Sequence, residues 1–367
     1  MSRTRIARLA AGLASLLFAP ILSFAASPRD TAPVGFLEAQ RFATLPADVR
    51  FPEGIAANPA TGDLFVSTFD FGPVSNKLVR LSHDGKVEAI RDFAGTPLLG
   101  LEYRDGYVYV LNFGAGSLQR IRADFDASTP VDTLVTFPAI GSPGARDEGN
   151  PDSSSDHIVF GSSGKQAPNA MVFDAHGNAY VSDSFQGAIF LVPDATTCSA
   201  SCTWTLVSHD ALLATAGTPP FGANGLAFSA DGATLFIANT GDHRVLAMDM
   251  ATKAIRPYSI SIPGADGLLM ANGRLWVAAN QADQVFALDG DGRIAIKAGE
   301  FLGVRDGTPR GLLFPASLVA LRGWVYVTNL ALPLTSDAAG TGPTSLSRDE
   351  PEDFVSRWTV SRFPLPR

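Results

Sequence analysis

The sequence of 367 residues predicts an all-β fold: a six-bladed β-propeller with four-stranded blades, its ring closed by N- and C-terminal strands. Three observations predict it. A strand–turn–strand pattern recurs six times. The composition, with 35 Gly and 25 Pro, suits a chain of many turns. Helical periodicity is nearly absent beyond the N-terminal segment.

The copies begin at Gly54, Gly100, Ala170, Gly225, Gly267 and Ser317, 42 to 70 residues apart, which is the spacing of blades with loop insertions. Each opens with a short apolar strand and a turn built on Thr-Gly, Asp-Gly, His-Gly or Asn-Gly, residues that tolerate positive φ. A second strand rich in Val, Ile and aromatics follows. In five copies the segment closes on Asn112, Asp183, Asn239, Asn280 or Asn329, each expected to start the next turn. Two outer strands complete a blade, for example residues 243–248 and 254–258. Length alone suggests two or three domains, but stacked repeats bury surface against one another and make one. Residues 36–44 are expected to form the outermost strand of the last blade beside residues 355–363, so that no edge stays free.

Residues 1–25 read as a signal peptide. Arg3, Arg5 and Arg8 form a basic start, residues 9–24 are mostly apolar, and Ser23-Phe24-Ala25 offers small residues at both positions a signal peptidase inspects. The alternative is an uncleaved anchor, against which stand Pro20 and a run shorter than the ~20 residues of a spanning helix. Cleavage after Ala25 leaves residues 26–367 as a single propeller domain, secreted or periplasmic, with no membrane attachment. Losing three arginines takes the net charge from −8 to −11. That balance argues against nucleic acid as a partner and leaves carboxylates for a cation. Cys198 and Cys202 can form a local disulfide at a loop tip in an exported protein.

The first strand of each blade lines the central channel, so the residue before each repeat start falls at the channel mouth. Around the ring these are Glu53, Leu99, Asn169, Asn224, Asp266 and Ala316. Two carboxylates and two amides make an oxygen-rich set suited to a hard cation such as calcium. Without His or Cys the set does not suit zinc or copper. The other interpretation is that such Asn and Asp residues only cap backbone groups at turn entries.

The stretches Phe-Pro-Glu-Gly-Ile-Ala from Phe51, Ala-Pro-Asn-Ala-Met from Ala167, Ala-Asn-Gly-Leu-Ala-Phe from Ala223 and Ala-Asp-Gly-Leu from Ala265 resemble the metal-binding stretches of the SMP-30/gluconolactonase family, and those of the related paraoxonase-type lactonases. The resemblance covers nearly the whole chain after residue 25, in blade order. It implies a six-bladed propeller with calcium at the channel mouth and Glu53, Asn169, Asn224 and Asp266 as ligands; magnesium or manganese are the other divalent candidates. It also implies an enzyme, a hydrolase opening a lactone or ester as its small-molecule substrate. A cation polarises a carbonyl and acidifies water, and a carboxylate beside it takes a proton. Asp266 is the expected ligand and general base, with Glu53 the second choice. The alternatives are a non-catalytic binding propeller with a structural calcium, and a lyase or synthase on the same scaffold.

Two positions depart from the resemblance. Sugar lactonases resembling this chain carry a substrate-contacting Arg where Ala167 stands, which argues against a gluconolactone-type substrate. Paraoxonase-like members carry a catalytic His where Phe113 stands. Of the five histidines, His83 and His176 fall in turns, His243 heads a strand, and His157 alone lies in a loop that can cover the site. There is no Gly-x-Ser-x-Gly elbow, the run from Gly161 to Lys165 lacks phosphate-loop spacing, and Asp289-Gly290-Asp291-Gly292 reads as a turn. Insertions 141–166 and 330–353 are expected on the metal-bearing face, as lids or as surface decoration. Phe69, Phe71, Phe113 and Phe185 fall at turns on the same rim, lining a pocket for an aromatic or acyl group or anchoring the turns.

Overall fold

The repeat folds as its pattern dictates: each copy supplies the two inner strands of a four-stranded antiparallel sheet. Blade one comprises Pro52–Ala57, Leu64–Thr68, Lys77–Leu81 and Val87–Asp92. The innermost strands of blades two to six are Leu98–Arg104, Pro168–Phe173, Ala223–Phe228, Ala265–Ala271 and Pro315–Leu321. The structure, a computed structural model, describes residues 33–161, 165–199, 201–334 and 350–366. The expected signal peptide and most of the 330–353 insertion lie outside the described residues. The six sheets form a ring, and Val34–Arg367 is one compact unit. Among the described residues no helix is long and apolar enough to cross a membrane.

The core is divided into six clusters, one between each pair of neighbouring blades. This is why the second strands read as continuous apolar runs rather than alternating ones. On Leu64–Thr68 every residue is buried: Phe65 packs with Leu98, Val108 and Phe125 toward blade two, and Val66 packs in the cluster shared with blade six. The inner strands approach closely. A Cβ at Gly54, Gly100, Gly225 or Gly267 would collide with the backbone carbonyl of Leu99, Asn169, Asp266 or Ala316 on the next blade, so only glycine fits there. Hydroxyls bridge the same seams. Ser67 donates to the Leu99 carbonyl, and Thr328 closes the ring by donating to the Glu53 carbonyl, both at 2.6 Å.

Closure differs from the expectation in one respect. Gln40–Thr44 pairs antiparallel with Thr359–Pro364 as the outermost strand of blade six. Gly35–Leu37 instead runs parallel to Ile294–Ala298 of blade five. Residues 36–44 are therefore two strands, not one. The chain covers the open edge of blade five before stepping to blade six, so one segment staples two blades.

The 141–166 insertion contains a hairpin, Arg146–Gly149 with Ser155–Ile158. Arg146 ties it to blade four through Asp242 at 2.8 Å, and Asp242 also holds Arg244 at 2.6 Å. The Cys198–Cys202 disulfide is formed. Its loop packs on blade two, where the Cys202 N–H donates to the Leu134 carbonyl and Arg120 donates to the Cys198 carbonyl, each at 2.8 Å.

Candidate metal centre at the channel mouth

Strand register confirms the alignment of the six mouth positions. Pro52, Leu98, Pro168, Ala223, Ala265 and Pro315 pair with Thr68, Asn112, Asp183, Asn239, Ala279 and Asn329. The register shifts after each of these residues, a bulge that aims the following side chain into the channel. Those side chains are Glu53, Leu99, Asn169, Asn224, Asp266 and Ala316. All six are buried, and all but Ala316 line one cavity at the mouth. The cavity itself is small, about 30 Å³, and opens to solvent.

The same register defines a second ring, the residue just past each second strand: Phe69, Phe113, Ser184, Thr240, Asn280 and Leu330. It is polar in blades three to five and apolar in blades six, one and two. Asn280 therefore does not belong with Asn112, Asp183 and Asn239. Asn112 accepts the Ala115 N–H, Asp183 the Phe185 and Gln186 N–H groups, and Asn239 the Asp242 N–H, as turn-starters do. Asn329 accepts the Leu313 N–H instead and ties down the segment that leads into its own blade. Asn280 lies one register place later, and its Nδ2 donates to Asp266 Oδ2 at 3.1 Å. Its Oδ1 lies against Gly264, where a Cβ would leave it no room.

Ser184 and Thr240 set the amides. The Ser184 hydroxyl donates to the Ala223 carbonyl at 2.6 Å, and that of Thr240 to the Ala265 carbonyl at 2.7 Å. A hydroxyl has one proton, so toward Asn169 and Asn224 both oxygens act as acceptors. They receive Asn169 Nδ2–H at 2.8 Å and Asn224 Nδ2–H at 3.0 Å. The Asn169 nitrogen is thereby turned to the wall, while that of Asn224 is shared between Thr240 and the Asp266 carboxylate.

What remains is a set of buried oxygens without protein partners: Glu53 Oε2, Asn169 Oδ1 and Asp266 Oδ1, with Asn280 Oδ1 a fourth that is turned to Gly264. Buried polar atoms are nearly always paired, so three at one point mark a place for a ligand. Burial, and then the neighbouring Asp266 charge, holds the Glu53 carboxyl well above the usual carboxylate range. Burial raises Asp266 too, partly offset by hydrogen bonds from Asn280 and Asn224. No Lys, Arg or His lines the cavity among the described residues, so the chain itself does not balance these carboxylates. A divalent cation would. Among the described residues no group of three or more His, Cys, Asp or Glu gathers elsewhere or here; the donors at this point are two carboxylates and two amides, a set that fits a hard cation.

Phe69, Phe71, Phe113 and Phe185 meet on the rim as expected, joined by Phe221, which repeat spacing does not reveal because it lies in the loop before blade four. His157 does not join the site: it is exposed and pairs with Asp147 at 2.7 Å on the outer hairpin. His243 accepts the Gly264 N–H and is structural. Below the mouth the channel holds a second cavity of about 200 Å³, mostly aliphatic, with Glu102 in its lining. Burial raises Glu102 to about 7, partly offset by Arg104.

No protein-family model and no curated protein matches the sequence. Solved structures do match. Regucalcin from Agrobacterium tumefaciens, described as a calcium-binding protein, has 15% identity and a TM-score of 0.56, covering 92% of this chain and 97% of that one. A gluconolactonase from Xanthomonas campestris has 14% identity and a TM-score of 0.53, covering 88% of each. Virginiamycin B lyase from Staphylococcus aureus has 13% identity and a TM-score of 0.53, covering 90% and 100%. At such identities a likeness shows the fold: this chain is a six-bladed β-propeller of the architecture that regucalcin and gluconolactonase share, which fits the resemblance carried by its four mouth motifs.

Proposed function

We propose that this chain is an exported, divalent-cation-dependent hydrolase that opens a lactone or ester at the channel mouth. The observation that carries the proposal is the convergence of Glu53, Asn169, Asn224 and Asp266, with buried oxygens left unpaired and no basic side chain beside them. These four residues would hold the cation, and calcium suits their oxygens. A bound cation supplies polarisation of a substrate carbonyl and a lowered pKa for water. Asp266 Oδ2 is engaged by Asn280, which leaves Oδ1 as the atom positioned to take a proton from an attacking water. Glu53 faces it from blade one and contributes the second negative charge. The fold likeness to a gluconolactonase supports this reading. A non-catalytic binding propeller with a structural cation is the second reading, favoured by a cavity lining in which no His, Lys or Arg stands among the described residues.

Metal-depleted protein assayed against a panel of lactones and aryl esters separates the two. Calcium should restore turnover, and Asp266→Asn should lower it by roughly 100-fold or more with the fold intact. Unchanged turnover in that variant would remove Asp266 from its role. No turnover of any panel member, with calcium still raising Tm, would favour the binding propeller.

A further inference from the structure

We infer that the site selects a neutral substrate with an aromatic body, held against a phenylalanine cluster that runs along the rim from blade one to the loop before blade four; this rests on the reading of the cavity as the substrate site. The two sides of the second ring differ. In blades three and four its polar groups are already committed. The Ser184 and Thr240 protons go to backbone carbonyls, and the Asn169 and Asn224 nitrogens go to those hydroxyls. That side offers acceptors to a cation and no hydroxyl donor to a polyol.

Blades six, one and two are apolar in this ring, and above it a phenylalanine cluster reaches from blade one to the loop before blade four, where Phe69 meets Phe221 at 6.1 Å. Phe69 meets Phe71 at 4.7 Å and Phe113 at 5.4 Å between ring centroids, both edge to face. Phe113 meets Phe185 edge to face at 5.7 Å, and Phe185 meets Phe221 at 5.5 Å. Aromatic rings favour such edge contacts, and a wall built of them accepts another ring. Phe71, at the outer end, is 45% exposed and has surface left to cover. Below the wall, Leu99, Leu330 and Leu332 continue the lining toward the ligand set. A sugar ring placed here would bury hydroxyls without partners, a penalty of a few kcal/mol for each, whereas an aryl group gains from burial. Among the described residues no cationic side chain lines the cavity to hold an anionic substrate.

The test is calorimetric titration of the calcium-loaded full chain with two probes that are not hydrolysed: 2-acetylnaphthalene and D-glucono-1,5-lactam. The naphthyl ketone should bind at least tenfold more tightly. Phe113→Ser should weaken it about tenfold, leaving the rise in Tm on calcium addition unchanged. Phe71→Ser, at an exposed position, should weaken it in the same direction and guards against misfolding of the first variant. Equal or tighter binding of the lactam, or ketone binding indifferent to both substitutions, would overturn the inference. Ketone binding that depends on Phe71 and Phe113, in a protein that hydrolyses no aryl ester, would uphold the wall and fail the hydrolase reading instead.

Discussion

Ser184 and Thr240 carry no charge, yet their hydroxyls fix where the amide nitrogens of Asn169 and Asn224 are held. Each hydroxyl spends its proton on the next blade's carbonyl and must receive the amide nitrogen. Alanine at either position frees the amide to turn its nitrogen inward. We expect Ser184→Ala and Thr240→Ala each to weaken calcium binding by about 10-fold or more, the usual scale for outer-shell partners, with little loss of Tm in the absence of calcium. Calorimetric titration checks this; unchanged affinity would show that the hydroxyls do not orient the amides. Glu102 makes a separate residue-scale prediction. Its pKa is raised to about 7 in the channel, so the folded state keeps a proton that the unfolded state releases near the ordinary glutamate pKa of 4.5. Its contribution is therefore favourable in acid and is lost as pH rises from about 4.5 through about 7. Glu102→Gln should be more stable than the parent at pH 8, and the difference should shrink toward pH 5. A denaturant titration at the two pH values measures it, and a difference independent of pH would contradict it. At this scale the sequence made the four oxygen-bearing mouth residues legible, since each opens the same short motif. The Ser184, Thr240 and Phe221 roles were not legible, because they depend on which side chain meets which across blades.

Elements explain why Asn280 is out of step. Blades two, five and six turn on two residues of positive φ: Asp105-Gly106, Asn272-Gly273 and Arg322-Gly323. Counting six residues on from each glycine reaches Asn112, Ala279 and Asn329, so Asn280 is one place late. Blade four has a longer turn, with Phe228 paired to Leu235, and there seven residues separate Gly232 from Asn239. A count that ignores turn length merges the two cases. The glycines of the inner strands give the element-scale prediction. At Gly225 a Cβ would meet the Asp266 carbonyl and the Leu268 N–H, and neither backbone group can move without shifting the neighbouring blade. Gly225→Ala should cost about 1–3 kcal/mol, the range for overpacking a tight interior, read as a fall in the denaturant midpoint. A neutral effect would mean that the inner strands are not held as closely as their register implies.

For the whole molecule, the number of blades, their four-stranded make-up and the place of the site were legible because the repeat sets all three. The parallel path of Gly35–Leu37 along blade five was not, since three residues carry no pattern that separates one blade edge from another. The ring places two buried carboxylates, Glu53 from blade one and Asp266 from blade five, across one channel mouth, and their mutual repulsion is a cost that a cation at that point would relieve. The account's central claim is that a divalent cation completes the mouth. Calorimetric titration of the metal-depleted protein with calcium tests this directly, with Glu53→Gln and Asp266→Asn measured alongside. One calcium per chain, bound with a rise in Tm and weakened at least tenfold in both variants, is the expected result. No binding to the parent chain, or binding that both variants retain in full, would contradict the account.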